Sequence, residues 1–239
     1  ALSWFAVRMK ETLPPEKQVP LSFQRSFSAV VEIFRTRTAL GYTLCIGWVF
    51  SPFIAYLSTA QQIFADVFDK TEEFPAFFAM LALSIGAASL LNSRLVMKFG
   101  MRSLSLWSTL VATGLSMLFL GVTQTVLPEP PLWGFMVYLM LTFFCQGLVF
   151  GNLNALAMQP LGHIAGVGAA VIGALSMLVS LPVGYVIAQA FDGTVVPLVT
   201  GFAVFSAAMV VTMLWTERGA DSGVSTQGSV DSPGTELRN

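Results

Sequence analysis

Four side-chain amides sit where amides are expensive. Gln146, Asn152, Asn154 and Gln159 fall within or at the end of one apolar stretch, and a polar group in such a stretch must face a partner helix or a cavity. Asn152 lies seven residues from Gln159 and seven from Cys145, so each pair shares a helical face. A second group is aromatic. Tyr42, Trp48, Phe53 and Tyr56 occupy an earlier apolar stretch that ends in Gln61-Gln62, and Tyr42, Val49, Phe53 and Tyr56 lie along one stripe. Aromatic faces on a cavity wall bind lipophilic or cationic molecules. Aromatic residues near span ends also serve as interface anchors, and amides also tie neighbouring helices together. Residue types alone leave both readings open for each group.

Catalysis finds less support. The single histidine, His163, stands in Leu161-Gly162-His163-Ile164 at a loop, and no GxSxG-type turn accompanies it. Intramembrane aspartyl chemistry needs two facing carboxylates, and no apolar block has Asp or Glu in its interior. A P-loop and a dinucleotide fingerprint are both absent. Cys45 and Cys145 lie inside apolar blocks without a CxxC spacing, so they read as packing residues. The expectation is a non-enzyme with no cofactor and no metal.

These residues are carried by six apolar blocks, at about 38–60, 74–92, 103–124, 132–158, 164–190 and 195–215. At 1.5 Å per residue each crosses a hydrocarbon core of roughly 30 Å. Charged residues make up 10% of the chain and hydrophobic ones 55%, so lipid is the expected solvent. The backbone must then be helical, because an isolated strand cannot satisfy its polar groups in lipid. The fold class is therefore an all-α membrane protein, a bundle of six transmembrane helices. The net charge of −1 argues against a nucleic-acid partner.

Loop charge sets the sidedness. Arg8, Lys10, Lys17, Arg25, Arg35 and Arg37 precede the first block, Arg94, Lys98 and Arg102 follow the second, and Arg218 and Arg238 follow the last. Asp66, Asp69, Glu72 and Glu73 follow the first block with only Lys70 among them, and Glu129 and Asp192 lie in later loops of that side. Both termini are therefore expected in the cytoplasm. Residues 1–37 divide into a helix end at Ala1–Val7, a proline-bearing loop, and an amphipathic helix from Phe23 along Phe27, Val30, Val31 and Phe34. Residues 38–215 form the transmembrane unit, and residues 216–239 are expected to be a disordered cytoplasmic tail. Gly147 with Gly151, Gly162 with Gly166, and Ala82 with Gly86 have the spacing of tight helix contacts. Pro52 and Pro182 fall inside spans and are expected to kink them.

Ser93-Arg94-Leu95-Val96-Met97-Lys98-Phe99-Gly100-Met101-Arg102 resembles the loop motif GxLaDrxGrr of the major facilitator superfamily. Leu95, Lys98, Gly100 and Arg102 match, whereas Ser93 replaces the first glycine and Met97 the aspartate. Glu11-Thr12-Leu13-Pro14, Ala39-Leu40-Gly41-Tyr42, and the run from Asn154 to Gly166 with Ala169 and Gly173-Ala174-Leu175 are similar to Bcr/CflA-type multidrug efflux transporters. The resemblance runs from residue 1 to about 215.

It implies the C-terminal six-helix half of a twelve-helix transporter, built from two inverted three-helix repeats, with substrate bound between halves near the midplane. Tyr42, Phe53, Tyr56, Gln146 and Asn152 become the substrate-contact candidates, and Lys98, Gly100 and Arg102 a gating loop. The implied partners are a small lipophilic substrate, protons, the lipid bilayer, and an N-terminal half that carries the proton-coupling residues. The implied location is a bacterial inner membrane and the implied activity is drug efflux by alternating access. A six-span unit working as a homodimer and a non-transporting membrane protein are the alternatives. The sidedness is checked by labelling in intact cells, with Cys45 and Cys145 replaced by alanine. A membrane-impermeant maleimide is expected to reach Glu72→Cys from outside and to spare Lys98→Cys.

Overall fold

A computed structural model describes residues 23–125 and 129–227. Among these residues there are seven α-helices and no strand. A short helix α1 (Phe23–Arg35) precedes six long ones: α2 (Arg37–Gln62), α3 (Phe74–Phe99), α4 (Met101–Thr125), α5 (Leu132–Met158), α6 (Ala165–Gln189) and α7 (Val196–Gln227). A π-turn, Ile63–Val67, extends α2.

Five continuous helical stretches are long and apolar enough to cross a bilayer. One of them, Leu132–Gln189, has 58 residues, about 87 Å at helical rise and far more than one crossing needs. It breaks at the 3₁₀ segment Gln159–Ile164, where Leu161 leaves helical geometry (φ −105°, ψ 17°). Pro160 sits at the start of that segment, and its missing N–H suits a first turn, not a helix interior. The stretch is therefore two spans, α5 and α6, and the chain is an all-α, multi-pass membrane protein.

Two expectations need correcting. The motif read as a loop between the second and third blocks is mostly helical. Ser93–Phe99 stay helical, and one residue, Gly100, turns the corner at φ 77°. Its N–H bonds to the Val96 carbonyl, and its own carbonyl accepts from Leu104. A side chain would be strained at that φ. The expected tail from residue 216 is, as far as it is described, helical to Gln227. Residues 1–22 and 228–239, with the loop, helix end and remaining tail expected there, lie outside the described residues.

The six long helices interlock in a particular way. Helix α2 packs on α6, α7 and α5, and α5 packs on α3, α4 and α2, while α4 crosses α7. Most neighbours in sequence scarcely touch, the pair α4 and α5 being the exception. Exchanging α2, α3, α4 for α5, α6, α7 maps this pattern onto itself: α2–α6 becomes α5–α3, and α2–α7 becomes α5–α4. Each three-helix repeat is held by the other repeat and not by itself.

Close backbone approach makes these contacts. A Cβ at Gly184 of α6 would lie 2.8 Å from the Ser51 carbonyl of α2, and one at Gly47 would lie 2.9 Å from Val179. Gly147 of α5 lies as close to α3, with the Ile85 carbonyl 2.8 Å from the added atom. The other spacings behave differently. A Cβ at Gly86, Gly151, Gly162 or Gly166 would meet nothing within 4 Å, so these make no tight contact among the described residues. Pro52 and Pro182 lie within α2 and α6, and neither ends its helix.

Apolar side chains gather in two clusters, one at each end of the bundle. Tyr56, Phe64, Phe135, Phe143 and Phe202 lead the first. Tyr42, Ile46, Leu153, Leu161 and Met213 lead the second, where Ala29 and Ile33 of α1 also dock. Helix α1 keeps Phe27 and Phe34 exposed and is tied to the α5–α6 turn by Glu32, whose Oε1 lies 3.1 Å from His163 Nε2. Replacing Gly184 with leucine is expected to destabilise the bundle by about 1–3 kcal/mol, because backbone must move. Gly121→Leu, where an added Cβ meets nothing within 4 Å, should leave unfolding unchanged. Thermal unfolding of the detergent-purified variants compares them.

Candidate functional site

Near the middle of α2 and α5 a cleft opens against α3. It holds about 450 Å³ and is lined by Val49, Phe50, Phe53, Ile85, Ser89, Asn92, Gln146, Gly147, Phe150 and Gly151. Phe50 meets Phe150 edge-on at 4.8 Å between ring centres, and Phe53 meets Phe143 at 5.5 Å. Phe50 and Phe53 stand one turn apart on α2, and Gln146 and Phe150 one turn apart on α5, so each helix contributes an aligned pair. Gly147 presses against α3, whereas Gly151 has only open space beside it. The lining contains no Asp, Glu, Lys, Arg or His.

Of the expected contact residues, Phe53 and Gln146 line the cleft. Both are half-buried. Asn152 lies behind it. Its amide and that of Asn92 bond reciprocally, with Nδ2–Oδ1 distances of 2.9 and 3.2 Å, and Asn152 also donates to the Leu148 carbonyl. Asn152 thus serves as a helix tie, and its partner Asn92 is the member of the pair that reaches the cleft. Tyr56 is buried one turn beyond Phe53 with its ring on Phe143 at 4.9 Å. Tyr42 is elsewhere, buried in the second cluster, where its hydroxyl donates to Glu217 Oε1 at 3.0 Å.

The corner residues also occupy that end. Arg102 is exposed and lies within electrostatic reach of the Tyr42 hydroxyl. Lys98 is exposed, with its ammonium 5.3 Å from the ring centre of Phe99. Nearby, the Arg37 guanidinium lies 4.4 Å from the centre of the Trp215 ring and donates to the Trp215 carbonyl. The Tyr42–Glu217 bond therefore sits in a basic setting that joins the ends of α2, α4 and α7.

Sequence reasoning missed Phe50, Phe150, Asn92 and Ser89. The first two had a signal: Phe50 is three residues before Phe53, and Phe150 four after Gln146, which is same-face spacing. Asn92 and Ser89 had none, because α3 offers polar residues on several faces. Other span hydroxyls are explained without a ligand. Thr43, Ser51, Thr59, Thr109 and Thr212 each donate to the carbonyl four residues back, the usual solution where water is absent.

Comparison with known proteins bears on this arrangement. An uncharacterized MFS-type transporter of Bacillus subtilis, YdgK, is 29% identical over 175 residues, 72% of this chain and 42% of that protein. The chain is thus similar to a protein named as a major facilitator transporter. A bicyclomycin resistance protein homolog of Haemophilus influenzae is 22% identical over 202 residues, 83% of this chain and 49% of that protein. The chain spans about half the length of the curated relatives it matches. No family model and no solved structure matches it. Both relatives are named as transport or resistance proteins, not enzymes.

The amide tie can be weighed directly. Asn92→Ala and Asn152→Ala, alone and together, are expected to show a coupling energy of about 0.6 kcal/mol, and no more than about 1.7, as for other hydrogen bonds between membrane helices. Unfolding in mixed micelles measures the cycle.

Proposed function

We propose that this unit forms half of a membrane transporter that exports uncharged or weakly polar drugs by alternating access. The observation that carries the reading is the cleft: aromatic, free of charged side chains, and set at mid-depth between the central helices of two interlocked repeats. Substrate sites of repeat-built transporters lie at that level. Apolar walls with a few placed polar groups are what a small-molecule site requires, and Gln146 and Asn92 supply the polar groups here. The name of the Haemophilus relative, a bicyclomycin resistance protein homolog, supports a drug as cargo.

The outer helices support a second six-helix unit. Ala82 and Gly86 on α3, and Gly166 and Gly173 on α6, are exposed, and a Cβ at any of these glycines would meet nothing within 4 Å. Small residues on the two flanking helices leave room for further helices to approach closely. In this reading the second unit is an N-terminal half in the same polypeptide, the bacterial inner membrane is the location, and both termini face the cytoplasm. Proton coupling then resides in that half, because the cleft here has no group that titrates.

Growth inhibition tests the proposal. Joined to coding sequence for six preceding spans, the chain is expected to raise the bicyclomycin concentration that a sensitive bacterium tolerates. Phe53→Ala is expected to weaken substrate binding roughly tenfold, the loss of aromatic contact and apolar area being worth about 1.4 kcal/mol. Resistance conferred by residues 1–239 alone would favour the homodimer. A Phe53→Ala protein with full resistance at equal expression would remove the cleft from the pathway.

A further inference from the structure

We infer that the Tyr56 hydroxyl is the polar anchor of the cleft and that the ligand it receives is an uncharged aromatic molecule bearing a hydrogen-bond acceptor such as a carbonyl. The inference rests on reading the cleft as a substrate site. It begins from a hydroxyl with nothing to do.

Three tyrosines are buried among the described residues: Tyr42, Tyr56 and Tyr138. The Tyr42 phenol bonds Glu217, and the Tyr138 phenol lies 3.0 Å from the Ser116 hydroxyl. The Tyr56 phenol, on a residue only 1% exposed, has no hydrogen-bond partner among the described residues. Ser105 and Thr142 also carry unpaired buried hydroxyls, but their case is different. A serine or threonine on a helix reaches the carbonyl of the preceding turn by rotating χ1. A phenol oxygen is held a full ring away from its own backbone and must find its partner elsewhere. A bilayer interior supplies no water to take that place. Phenylalanine would fill the same aromatic niche without the penalty of an unpaired polar group.

The position of Tyr56 gives the hydroxyl a use. Its ring lies edge-on to Phe143 at 4.9 Å, and Phe143 in turn meets Phe53 at 5.5 Å. Phe53 is half-buried and lines the cleft. The Tyr56 ring is therefore linked to the cavity through two rings in series, Phe143 and Phe53, and Phe53 is the one with free space on one side. A side-chain rotation there is a fast, local motion. A ligand ring that takes the place of the Phe53 ring, with Phe143 turning aside in its turn, keeps aromatic contacts and brings its acceptor to the phenol. Charge is selected against, because the lining offers no ion of either sign and a bare charge in an apolar site is costly.

Fluorene and 9-fluorenone test the assignment, since they share one flat frame and differ in a carbonyl. Binding is measured to the protein in lipid nanodiscs, with protein-free nanodiscs subtracted, for wild type and Tyr56→Phe. Wild type is expected to prefer fluorenone by about five- to tenfold, the worth of one hydrogen bond to a buried donor. Tyr56→Phe should abolish that preference, leave fluorene binding unchanged, and unfold at the same temperature as wild type or higher. Equal binding of the two probes by wild type, or a preference that survives Tyr56→Phe, overturns the anchor while leaving the cleft as a site. A clear loss of thermal stability in ligand-free Tyr56→Phe also overturns it, by revealing a resident partner. Failure of both probes to bind either protein overturns the anchor and the site together.

Discussion

Nothing in a bilayer squeezes two apolar helices together, since lipid tails are as apolar as leucine. This bundle depends instead on backbones that come within touching distance. Gly47 and Gly184 bring α2 and α6 together, and Gly147 brings α5 against α3. All three are contacts between one repeat and the other, so the short-range packing that holds the spans exists only when both repeats are present. The cleft follows from the same contacts. Gly147 is wedged against the Ile85 carbonyl, but one turn later Gly151 has nothing within 4 Å. The space that a side chain would fill at that level is left to the cavity, while the Asn92–Asn152 amides keep α3 and α5 joined behind it.

Hydrogen bonding follows the same scarcity. With no water in the hydrocarbon core, a hydroxyl bonds back to its own helix, an amide finds a second amide, and a phenol must be given a partner. This is why polarity inside a span was a weak guide to the site. Asn152 and Phe53 looked equally eligible from sequence, yet the first is consumed as a helix tie and the second faces the cavity. Only a structure tells a spent polar group from a free one.

The spans themselves were legible because bilayer thickness sets a length that composition marks out. The block read as 132–158 is α5 residue for residue, and 164–190 differs from α6 by one residue at each end. Helix α7 runs on past the expected boundary at 215, through Gly219 and Gly223, because polar sequence alone does not end a helix. Small-residue spacing placed two residues on one face without saying which way that face turns. In a soluble helix the contrast between a polar and an apolar face would settle the direction. Here both faces are apolar, so Gly147 turned inward and Gly86 outward with the same local pattern. The Gly100 corner was hidden for a related reason, since Ser93–Phe99 carry loop-like charge but still complete the helical ladder of α3.

The separation of charge from the cleft constrains how such a unit can work. The described carboxylates lie in α1, at the ends of the spans or in the turns: Glu32, Asp66, Asp69, Glu72, Glu73, Glu129, Asp192 and Glu217. In the proposed transporter, a group that changes its proton does not then line the cleft of this half. In the proposed function, binding at the cleft rests on shape, aromatic contact and neutral hydrogen bonds, which persist whatever the pH. In the proposed mechanism, energy drawn from a proton gradient acts by moving the helices that border the cleft. The interlocked packing suits that division, because α2 and α5 each touch three helices of the bundle and a shift at either end is passed through rigid backbone contacts to the cavity between them.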